Sequence, residues 1–115
     1  MKTVPLKDQP VSEQFRVVAK KWVDADRAAR LMEELKTSTL AEMKNKLIVD
    51  DPKMANNKAE DTAKASQEWR EYITEMVNHR SDANLLKVQL EFLRMQFHEW
   101  QSANATNRAE MRMTR

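Results

Sequence analysis

The side chains best suited to chemistry are few: His79 and His98, the glutamates Glu68, Glu71 and Glu75 on one helical face, and no cysteine. No Glu-x-x-His pair is present, so the di-iron carboxylate site that helical bundles can host lacks its ligands. With no glycine, a glycine-rich phosphate loop cannot form. Lys64 and other charges lie beside the glutamates, as on a solvated face. These patterns predict a protein that is not an enzyme and uses neither a metal nor a cofactor. Binding has more to draw on. Arg16, Lys20, Lys21, Arg27, Lys87, Arg94, Arg108, Arg112 and Arg115 accompany Trp22 and Trp100, and cations interleaved with flat aromatic faces are the means by which proteins hold single-stranded nucleic acid. Lys20, Lys21, Arg108 and Arg112 are the expected phosphate contacts. Asp24 and Asp26 interrupt the cations of the first helix, and both tryptophans fall at positions that would also suit a helix core, so packing competes with stacking for them.

The elements that must carry these residues are helices. Thr62, Trp69, Met76, Ala83, Leu90, Phe97, Asn104 and Met111 alternate with Ala65, Tyr72, His79, Leu86, Leu93, Trp100 and Asn107 in one heptad frame. A seam spaced by alternating threes and fours stays on one side of a helix that pairs lengthwise with another. His79 occupies a seam position where Glu75, one turn earlier, can partner it. It reads either as a pH-sensitive register device or as a hydrogen-bonded interior histidine. His98 lies beside the seam and is expected to be solvated. Asn104 and Asn107 put amides in the seam, either to set register or because that end is not buried.

A second pattern, Phe15, Val18, Trp22, Ala25, Ala29 and Met32, keeps the same alternation and then shifts. Lys36 and Thr39 take the next seam positions, and the pattern resumes at Leu40, Met43 and Leu47, as a four-residue stutter would produce. Thr37, Ser38 and Thr39 are weak helix formers, which predicts unwinding or a break there. Pro52 disfavours helix at Asp51. Asn57 and Glu60 have capping-box spacing. The expected organisation is an arm over 1–10, a helix over 11–48, a turn over 49–57 and a helix over 58–113.

The fold class that follows is all-α, an antiparallel hairpin of long helices, coiled-coil-like, with the second helix the longer. Pairing Leu47 with Thr62 sets Phe15 near Arg94 and leaves an overhang from His98 onward. Residues 1–30 and 101–115 then share the open end with a net charge of +5, against −3 for the remainder. Such a polarity could dock an anion, stack copies head to tail, or be the mixed charge of a solvated surface. Leu85, Val88, Phe92 and Met95 form a second apolar stripe, about 160° from the seam at 100° per residue. One helical partner cannot cover both. The stripe therefore predicts self-association, packing of the arm through Val4 and Leu6, or a different protein partner.

The 115 residues carry 33% charged and 41% hydrophobic side chains, enough to bury a seam but hardly a thick core. No apolar run approaches the roughly 20 residues that span a bilayer, and no signal-peptide stretch opens the chain. A cytoplasmic, soluble protein without membrane contact is the expectation, and the lack of cysteine fits a reducing compartment.

Ser66-Gln67-Glu68-Trp69-Arg70-Glu71-Tyr72, Ala83-Asn84, Trp100-Gln101-Ser102 and Ala105-Thr106-Asn107-Arg108-Ala109-Glu110-Met111-Arg112 resemble small helical proteins encoded by bacteriophages, some of them near recombination functions. The resemblance covers about half the chain. It implies an oligomeric accessory of the mediator kind, acting on single-stranded DNA or on a recombinase in the host cytoplasm, and it transfers no functional residue. The alternative is a protein-only adaptor or inhibitor that docks a partner through Leu85, Val88, Phe92 and Met95.

Overall fold

The computed structural model describes residues 4–113, so Arg115 and the first three residues of the expected arm lie outside the described residues. Val11–Asp50 forms α1, Asn56–Ala65 forms α2 and Gln67–Met113 forms α3; a 3-10 turn, Leu6–Asp8, precedes α1, and the described residues include no strand. The fold is the expected all-α helical hairpin. Two compact units make it up: a terminal unit, Met1–Asp24 with Asn84–Arg115, and a loop unit, Ala25–Ala83. Within each, α1 and α3 run antiparallel.

In the loop unit Met43, Ala63 and Trp69 are buried, with Leu40, Leu47, Tyr72 and Ile73 packed around them. Trp69 and Tyr72 stack with ring centroids 5.6 Å apart, and the Tyr72 hydroxyl donates to the Met32 carbonyl at 2.5 Å. In the terminal unit Val18, Leu90 and Leu93 form the core, joined by Leu6, Val11, Phe15, Ala19, Trp22 and Leu86. The seam is therefore as expected from Trp69 to Leu93, and Phe15 meets Arg94 as the register requires.

Three local expectations are corrected. First, α1 is unbroken through Thr37, Ser38 and Thr39. Helix propensity is a weak preference, and here packing overrides it: beyond the stutter Leu40, Met43 and Leu47 find α2 and the start of α3. α1 also runs to Asp50, stopping just before the residue that Pro52 keeps out of helical conformation. The turn is closed by Met54 N–H on the Asp51 carbonyl at 3.0 Å.

Second, the capping box does not form. α2 begins at Asn56 after Ala55 with no side-chain cap, and Glu60 pairs with Lys64 at 3.2 Å instead. That hydrogen bond from lysine holds the Glu60 carboxyl below its ordinary range.

Third, the heptad frame is not one helix. Ser66 is extended, with φ −71° and ψ 152°, and separates α2 from α3. Its hydroxyl oxygen accepts from Trp69 N–H at 3.2 Å and donates to the Ala63 carbonyl at 2.6 Å, so one side chain ends one helix and caps the next. The break resets the buried face. Thr62 and Ala65, seam positions in the continuous frame, are exposed, whereas Ala59 and Ala63 are buried.

Candidate nucleic-acid interface

A lengthwise helix pair buries two seam positions per heptad and leaves the positions beside them at the rim, where charges on facing helices meet. Arg80 stands at such a rim position in the loop unit. Its guanidinium donates to Glu33 at 2.7 and 2.8 Å and to Asp26 at 2.8 Å. Asp26 also pairs with Arg30 at 3.0 Å. The hydrogen bonds it donates to Glu33, then to Asp26, push the Arg80 pKa up, and the bonds Glu33 accepts hold its carboxyl below its ordinary range.

Lys87, Arg94 and Arg108 share the heptad position of Arg80, at sevenfold spacings along α3, and Arg112 follows one turn later. These four lie in the terminal unit. All are exposed, and none takes a carboxylate partner among the described residues. At the level of Arg94, α1 offers Ser12 and Phe15 in place of acids. Past α1's first turn the arm, through Leu6, Lys7 and Gln9, lines a groove with Gln96, Glu99 and Trp100 of α3.

Phe97 and Trp100 continue the seam beyond Leu93. They stack on each other at 6.0 Å between centroids, and Trp100 is 60% exposed. Trp100 is thus an exposed rather than a core residue, whereas Trp22 packs on the terminal core as the seam predicts. His98 and Asn107 are exposed and Asn104 is half-buried.

Of the four expected phosphate contacts, only two lie together. Arg108 and Arg112 are one turn apart on α3. Lys20 and Lys21 are exposed on α1, at a level about 28 Å from Arg108 along the axis at 1.5 Å per residue. Arg16 is engaged by Glu13, whose carboxyl that contact holds below its ordinary range. The row of Lys87, Arg94 and Arg108 went unrecognised as a row, although its sevenfold spacing is present in the sequence. Arg80 was missed too. The register that sets Phe15 beside Arg94 places Ala29 opposite Arg80, midway between Asp26 and Glu33.

Leu85, Val88, Phe92 and Met95 are each about three-fifths exposed. The arm does not cover them: Leu6 packs on the terminal core, Val4 is exposed, and an open groove runs between the arm and Val88 and Phe92. Two glutamine amides tie the arm down, Gln9 to the Val4 carbonyl at 3.0 Å and Gln14 to the Gln9 carbonyl at 2.7 Å. His79 is half-buried rather than interior, with Nε2 3.6 Å from the exposed Glu75 carboxylate. No three metal-ligating side chains gather, and no helix is long and apolar enough to cross a membrane, among the described residues. The chain matches no known protein family, no curated protein and no solved structure.

Proposed function

We propose that this protein is a phage-type recombination or replication accessory that binds single-stranded DNA along α3. Lys87, Arg94, Arg108 and Arg112 contact phosphates, and Trp100, backed by Phe97, stacks on a base. The observation that carries this reading is the unanswered cation row beside an exposed aromatic stack, on a helix whose one equivalent arginine elsewhere is held by two carboxylates. Single strands suit the site better than duplex, because a stacking platform needs unpaired base faces.

The test is fluorescence anisotropy of a labelled single-stranded oligonucleotide at low and physiological salt. Binding should weaken with salt with a logarithmic slope of about −0.7 per phosphate contacted. Arg108→Glu with Arg112→Glu should abolish binding, Trp100→Ala should weaken it by about 1–3 kcal/mol, and Lys20→Glu with Lys21→Glu should matter less than either. Equal affinity for wild type and the double arginine variant would refute the assignment.

A further inference from the structure

We infer that the stripe Leu85, Val88, Phe92 and Met95 docks a second copy of this chain, α3 against α3, antiparallel about a two-fold axis at the level of Leu90. This does not rest on the nucleic-acid reading, since the stripe lies on a different side of the helix from the cation row.

The stripe is apolar, continuous and uncovered, with exposures of 62, 60, 60 and 61% along it. Its spacing of three, four and three residues reads the same in both directions. Turning a second α3 end for end about the middle therefore lays the stripe on itself, which is the requirement of an isologous contact. In that register Leu85 meets the partner's Met95, and the small Val88 meets the partner's large Phe92, each contact occurring twice. Small against large is how facing helices interdigitate.

The area is adequate for reversible association. At about three-fifths exposure Phe92 leaves on the order of 120 Å² and the smaller Leu85, Val88 and Met95 roughly 100 Å² each, so about 400 Å² per copy. Two copies then reach about 800 Å², the size of a weak, transient interface. A weak dimer that forms as concentration rises is the expected behaviour.

Sedimentation equilibrium over a wide concentration range tests this directly. Wild type should shift from monomer to dimer mass, and Phe92→Glu should stay monomeric with unchanged helical circular dichroism. Wild type that remains monomeric throughout, as it would if a foreign protein were the occupant, overturns the inference, and so does a Phe92→Glu dimer. Because the described residues contain no cysteine and neither does the rest of the sequence, single cysteines report the orientation independently. An oxidised mixture of Val88→Cys and Phe92→Cys should give mainly the mixed disulfide; predominance of each variant's own disulfide would refute the antiparallel register.

Discussion

The loop unit and the terminal unit are built from the same two helices and differ in what they leave unanswered. In the loop unit a rim arginine finds two carboxylates, a tyrosine hydroxyl finds a carbonyl across the pair, and α2 closes over Met43 and Trp69. In the terminal unit the equivalent cations find no acid among the described residues, and Leu85, Val88, Phe92, Met95, Phe97, Trp100 and Met111 remain exposed. The charges divide in step: residues 1–24 and 84–115 hold ten Lys/Arg against six Asp/Glu, whereas 25–83 hold ten against twelve. The loop unit also leaves Leu31, Leu35, Val49 and Val77 exposed, but the terminal unit exposes more large apolar side chains and carries the net positive charge.

The sharpest test of that contrast replaces an aromatic in each unit. Trp69→Ala removes a buried indole that also stacks on Tyr72, and should destabilise the fold by about 3–5 kcal/mol in urea denaturation. Phe97→Ala, at an exposed position, should cost far less; equal losses would show that the terminal unit contributes as much to stability as the loop unit. Next in size is Ser66→Ala, which deletes the hydroxyl that caps α3. A loss of about 1 kcal/mol is expected, and Ser66→Asp should restore most of it, because an aspartate accepts from the same N–H. No loss would mean that the α2–α3 break is set by packing alone.

The smallest effect concerns acid. Arg80 holds the Glu33 carboxyl below its ordinary range, so in the unfolded chain that group takes up its proton at higher pH than in the folded one. The contribution is fully present above the unfolded value of about 4.3 and is lost as pH falls through the lower folded value. Thermal melts from pH 7 to pH 3 should show a shallower acid decline for Glu33→Gln than for wild type. Identical slopes would show that the exposed pair carries no linkage.

Much of this was legible from residue spacing. The seam from Trp69 to Leu93, its partner face from Phe15 to Met32, the register, the overhang and the second stripe all follow from apolar side chains recurring at three and four. What escaped was whatever a single residue decides. A heptad count cannot tell Ser66 as an interior helical residue from Ser66 as a cap, because a one-residue break hardly disturbs the pattern after it. Ala59 and Ala63 gave little hydrophobic signal, although their small size is what suits them to burial against α1. The weak formers at Thr37–Thr39 stayed helical because partners that lie far off in sequence wait beyond them. Whether Trp100 packs or stands exposed was not decided by its spacing for a related reason: a seam position implies burial only where a partner helix reaches it.

The overhang of α3 also sets which changes in length the chain can tolerate. Beyond Phe97 no facing helix fixes the axial position of any residue, so inserting or deleting a whole heptad between Gln101 and Arg108 would move Arg108 and Arg112 along the axis and leave their bearing around it nearly unchanged. A single inserted residue would swing both arginines by about 100° away from Lys87 and Arg94. Homologous chains should accordingly differ in this stretch by sevens, with ones and twos rare, and their contour should lengthen in steps of about 10.5 Å.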